Sequence, residues 1–159
     1  MQLEVRLDEQ GFLPDAFAKH APSSNRVDGT PTRSFPFDVT DIPTAARALA
    51  IAFIDYDSIP VCGFAWRLLV PENASNLQAF GMVQGRNSSA AARGEAGNPQ
   101  VAHRYNGPQP PDGAHVYTLY VHALDNMPTL REGFWANKLV WAIKGHVLAT
   151  ARADLPARA

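Results

Sequence analysis

Ala48-Leu49-Ala50-Ile51-Ala52-Phe53-Ile54 runs straight into Asp55-Tyr56-Asp57-Ser58-Ile59-Pro60, and this stretch decides the fold. An unbroken apolar run of this length, closed by acids and a proline, predicts a central strand buried on both faces. Carboxyl groups are costly to leave unpaired in a core. Asp55 and Asp57 therefore belong at a sheet rim, facing a pocket or a loop. A second stretch, Gly113-Ala114-His115-Val116-Tyr117, opens another apolar run that reaches Leu124. His115 and Tyr117 stand two apart on a strand and so share a face. Joined in space, the two stretches make a small site with an acid, an imidazole and a phenol.

Outward from these strands, Pro and Gly punctuate the chain. Its 13 prolines and 11 glycines fall between short apolar runs, as at Gly29-Thr30-Pro31, Ile42-Pro43 and Gly107-Pro108-Gln109-Pro110-Pro111-Asp112-Gly113. That pattern predicts a mainly β fold. Leu3, Val5 and Leu7 alternate with polar residues as a half-buried strand. Residues 11–35 look like loop. Phe35-Pro36-Phe37 with Val39 makes a short strand that Pro36 confines to an edge or bulge. Phe64 to Val70 forms another strand, ended by Pro71. Residues 73–84 suggest a helical turn or two around Leu77 and Phe80, and Gln84 to Pro99 a long polar surface loop. Phe134, Leu139, Trp141, Ile143 and Val147 fit a helix of roughly four turns, with Gly145 weakening its last turn.

The 159 residues suit one domain over 1–159 with a real core. Hydrophobic residues make up 46% and charged residues 18%, with a net charge of -1 and dispersed Lys and Arg. This balance argues against a nucleic-acid surface or an anionic-membrane surface built on bulk charge. Cys62 is the single cysteine, so no intrachain disulfide forms. The first residues carry no basic segment followed by an apolar one, and no run approaches a membrane span, so a cytoplasmic protein is expected.

Several segments, taken together, resemble the phosphatidylethanolamine-binding protein (PEBP) family, in its bacterial Raf-kinase-inhibitor-like branch. They are Gly11-Phe12-Leu13-Pro14, Ser34-Phe35-Pro36-Phe37, Asp55 to Phe64, Gly85-Arg86-Asn87, Tyr105 to His115, Tyr117 to Asp125, and Gly145 to Ala149, in family order. The resemblance implies a PEBP-like sandwich with a large antiparallel sheet, a smaller sheet and a C-terminal helix. It implies a small anion pocket at one end of the strands, for phosphate, carboxylate or a phospho-head group. Asp55 matches the first acid of the family's Asp-Pro-Asp motif, and His115 the histidine of its Gly-x-His-Arg motif. Asp57, Pro60, Gly107, Pro108 and Tyr117 complete the implied ligand-binding set. Bacterial members commonly form homodimers, and exposed aromatics such as Trp135 suit such an interface.

Two departures matter. Val116 replaces the arginine after the histidine. Trp66-Arg67-Leu68-Leu69 replaces a Trp-x-His-Trp motif, so Leu68 stands where a second pocket histidine is usual. Losing one charge-assisted hydrogen bond of about 1.5–3 kcal/mol weakens phosphate binding tenfold or more.

The expected function is a non-catalytic binding or regulatory module for a small anionic ligand or phosphorylated group. The alternative is a protein–protein interaction or enzyme-inhibitor module whose pocket has degenerated through Leu68. A small hydrolase ranks third, since no Gly-x-Ser-x-Gly elbow is present. No catalytic residue or cofactor is expected. His20, His103, His122 and His146 share no metal-ligand spacing, so no metal is expected either. The bland counterpart of the pocket is a buried acid–histidine pair that orders loops. Asp57 suits acceptance of backbone N–H groups in a turn, and Tyr117 either a packing role or a pocket wall.

Overall fold

The computed structural model describes residues 1–57, 63–69, 83–85, 103 and 105–159, with residues 63–69 described in backbone only. The predicted central strand is β5 (Ala48–Asp55), and all eight of its residues are buried. It pairs antiparallel with β6 (Gly63–Leu69) on one side and β8 (His115–Leu124) on the other. β7 (Val83–Gln84) extends the sheet beyond β6, and β9 (Val147–Ala157) extends it beyond β8. The result is a five-stranded antiparallel sheet in the order β7-β6-β5-β8-β9.

The alternation along β5 explains its two environments. Leu49, Ile51 and Phe53 point to one face, where they meet Leu119 and Val121 of β8, Leu155 of β9, and Leu13, Phe35, Val39 and Tyr105. A two-stranded sheet of β1 (Gln2–Val5) and β4 (Phe37–Thr40) closes this face, with Leu3, Val5 and Phe37 packed on the cluster. Ala48, Ala50 and Ala52 point to the other face, with Ile54. Their small side chains let α1 (Ala136–Ile143) approach, and Leu139, Ile143 and Phe134 fill the space above them. Large residues thus build the sandwich core, and alanines make room for the helix.

Residues 11–35 are more ordered than loop. They hold two short 3-10 turns, at Asp15–Phe17 and Ser23–Asn25, and a hairpin of β2 (Arg26–Val27) and β3 (Thr30–Pro31). Asp28 and Gly29 form its two-residue turn, with φ of 48° and 75°. Two successive positive φ values are what a tight hairpin turn needs, and Asp-Gly supplies them.

The helix near the end is shorter than its periodicity suggested. It stops at Ile143, and Gly145 at φ 83° ends it as a left-handed glycine after the last turn. The chain then turns into β9, so Val147 opens a strand and does not continue the helix. His146 lies in that turn, where its Nδ1 meets Asp125 Oδ1 at 2.8 Å. Val83 and Gln84 are likewise strand, where helical turns were expected. The rest of the helical expectation over 73–84 and the loop expected over 86–99 lie outside the described residues.

Candidate functional site

Asp55 is the last residue of β5, and the antiparallel register sets it directly opposite Tyr117. Directly opposed residues share a face, and His115 lies two further along β8 on that face. Chain geometry alone therefore delivers the acid, the imidazole and the phenol to one rim of the sandwich core. His115 Nδ1 lies 3.0 Å from Asp55 Oδ2, and both residues are buried, at 9% and 6% exposure. The other Asp55 oxygen, Oδ1, accepts the backbone N–H of Asp57 at 3.0 Å. The register sets the Tyr117 ring on the same rim, beside the Asp55 carboxyl.

The hydrogen bond to Asp55 raises the His115 pKa, burial opposes it, and the charges of Asp55, Asp112 and Asp57 add to the rise. The pairing wins because a charged acceptor at hydrogen-bond distance outweighs partial desolvation. Burial pushes the Tyr117 hydroxyl well up, the Asp55 carboxyl beside it adds to the rise, and it stays protonated. Behind the site runs an aromatic stack. Tyr117 lies 5.2 Å from Phe53 by ring centroids, Phe53 lies 6.0 Å from Tyr105, and His115 lies 6.4 Å from Tyr117.

The Asp57 carboxyl accepts the backbone N–H of Val116 at 2.8 Å through Oδ2. It ties the end of β5 to the start of β8 and so sets the spacing that His115 and Asp55 need. Gly107 and Pro108 are buried, and Gly107 N–H donates to Pro31 O at 2.8 Å. That donor is spent inside the fold and does not face a ligand. An added Cβ at Gly107 would stand 2.4 Å from Phe17 O, so glycine is required there for close approach. Pro60 lies outside the described residues. Leu68 pairs with Ala50, five residues before Asp55 on β5. Strand rise makes that about 16 Å, and Ala50 belongs to the helix-facing set. The register therefore does not bring Leu68 to the Asp55 rim.

One participant escaped the sequence reading. Asp112 Oδ1 lies 3.6 Å from His115 Nε2, with the Asp112 side chain 82% exposed. An acid three residues before the histidine, on a Pro-Pro-Asp-Gly turn, was the available signal. Both imidazole nitrogens thus face carboxyl groups. Among the described residues no cluster of three or more His, Cys, Asp or Glu is arranged to hold a metal ion.

A family model described as phosphatidylethanolamine-binding protein matches residues 6–156. The chain belongs to the phosphatidylethanolamine-binding protein family. Among its relatives, the uncharacterized protein YxkA of Bacillus subtilis is 39% identical over 167 residues, covering 98% of this chain and 99% of that one. A UPF0098 protein of Chlamydia muridarum is 33% identical over 126 residues, covering 73% of this chain and 76% of its own. Among solved structures, a putative PEBP homologue from Chlamydia trachomatis superposes with a TM-score of 0.76 at 25% identity, covering 99% of this chain and 97% of that one. YbcL of E. coli, described as a new member of the mammalian PEBP family, gives 0.72 at 16% identity over 99% and 98% of the two chains, a likeness of fold. The mainly β sandwich expected from the resemblance is therefore the PEBP fold.

Proposed function

We propose that this PEBP-family chain is a non-catalytic binding and regulatory module that takes a small oxyanion on His115. The oxyanion is a phosphate, a carboxylate or the phosphate of a head group. The buried His115–Asp55 pair carries the reading. With Nδ1–H donated to Asp55, the ring orientation is fixed and Nε2 is the atom left to meet a ligand. The raised His115 pKa favours the doubly protonated ring, whose Nε2–H is a charge-assisted donor. Both nitrogens face carboxyl groups and not a nucleophile, which favours binding over turnover. Calorimetric titration with phosphate and acetate tests this. The chain binds both, and His115→Ala removes binding; equal binding by the variant, or none by either protein at tens of millimolar, overturns it.

A protein-interaction role is the second reading. Its support is the exposed helix surface, with Trp141 at 69%, Val140 at 52% and Trp135 at 46% exposure. A degenerate pocket through Leu68 gains no support from the register. A cytoplasmic location and a homodimeric state belong to the same proposal, and light scattering on the purified chain checks the latter. Among the described residues, no helix is long and apolar enough to cross a membrane.

A further inference from the structure

The segment from Tyr105 to Pro110 is pinned at three points. Tyr105 donates its hydroxyl hydrogen to Phe17 O at 2.9 Å, and Gly107 N–H donates to Pro31 O at 2.8 Å. Lys19 Nζ donates to Pro110 O at 2.8 Å. Pro111, Asp112 and Ala114 are exposed, and nothing lies within 4 Å of where a Gly113 Cβ would stand. The Asp112 carboxyl nonetheless points inward, 3.6 Å from His115 Nε2. Nε2 is the atom that the Asp55 bond leaves for a ligand.

We propose that Asp112 is a tethered occupant of the anion site, which an external oxyanion must displace from His115 Nε2. The inference rests on the anion-binding reading and adds how that site is regulated. A carboxyl group on a short loop competes at an effective concentration on the order of millimolar or more. It thereby raises the apparent dissociation constant of every competing anion by one common factor, set by how fully Asp112 occupies the imidazole. The Asp112 side chain has room to swing out, because it is 82% exposed and its neighbour Gly113 is uncrowded. Asp55 and Asp57 stay in place during the exchange, since each accepts a backbone N–H from the sheet rim.

The test compares Asp112→Asn with the unaltered chain, using acetate and sulfate as probes of one and two fixed charges. Binding is followed by calorimetry and by the His115 ring signals in NMR. Removing an occupant scales both affinities by one factor, about two- to five-fold for an exposed pair. A through-space repulsion would instead act on each ligand charge, and sulfate would gain about the square of what acetate gains. The expected result is equal tightening of both anions, with a fall in the His115 pKa of the ligand-free variant. Unchanged affinities, or a gain that grows with ligand charge, overturn the inference while leaving the anion site standing. Failure of acetate and sulfate to bind either protein overturns the anion-site reading, and the inference with it.

Discussion

Gly107→Ala isolates the close packing that holds the loop before His115. Gly107 sits outside the left-handed region, so alanine is allowed by the backbone, and the effect is one of space. The new Cβ would stand 2.4 Å from Phe17 O and 2.8 Å from Pro31 Cβ, both parts of fixed structure. Overpacking of this kind costs about 1–3 kcal/mol. Moving the backbone away also weakens the 2.8 Å bond from Gly107 N–H to Pro31 O, adding about 1 kcal/mol. The narrower unfolded ensemble of alanine returns about 0.4–1 kcal/mol. The net loss is about 1–3.5 kcal/mol, a fall in Tm of roughly 2–14 °C for a chain this size. Urea unfolding followed by tryptophan fluorescence reads it, with Gly113→Ala as the control, since no atom lies within 4 Å of that Cβ. A Gly107→Ala midpoint equal to that of the unaltered chain would refute the packing argument.

Three further outcomes follow from the same structure. Leu119→Ala, at a position 2% exposed in the sandwich core, lowers unfolding free energy by about 2–5 kcal/mol in urea titration. Trp141→Ser, at 69% exposure with Lys144 Nζ over its ring at 5.1 Å, changes stability by less than about 1 kcal/mol; a larger loss would mean the helix packs differently. The His115 pKa is raised in the folded state, so the pair's stabilisation is fully present below the unfolded value of about 6.5 and fades as pH rises through the folded one. Urea midpoints measured from acid to alkaline pH should fall across that window, and His115→Gln should remove the slope.

The strands that build the site were legible because each carries a complete signal. Ala48 to Asp55 is uninterrupted and ends on an acid, and His115 to Leu124 is long and rich in β-branched and aromatic residues. β9 was not legible, although Ala149-Thr150-Ala151-Arg152-Ala153-Asp154 alternates small apolar with polar residues. Alanine has little strand propensity, and Trp141 and Ile143 nearby carried a helical period across Gly145. The pairing of β9 with β8 overrides that local preference. At the site, Asp55, His115 and Tyr117 followed from strand ends and period-two faces. Asp112 did not, because its role arises from a loop folding back on its own strand. Asp57 was expected to accept a backbone N–H within its own turn; its acceptor bond instead crosses to Val116 N–H at the start of β8, and Asp55 is the turn acceptor.

Which His115 nitrogen is held and which is free decides whether the rim binds anions as proposed. A long-range nitrogen–proton NMR spectrum of the ring, with and without phosphate, measures both. The account predicts an Nδ1 that stays protonated and unmoved against Asp55, and an Nε2 whose signal shifts as phosphate is added. An Nε2 indifferent to phosphate, or an Nδ1 that carries no proton, would contradict it.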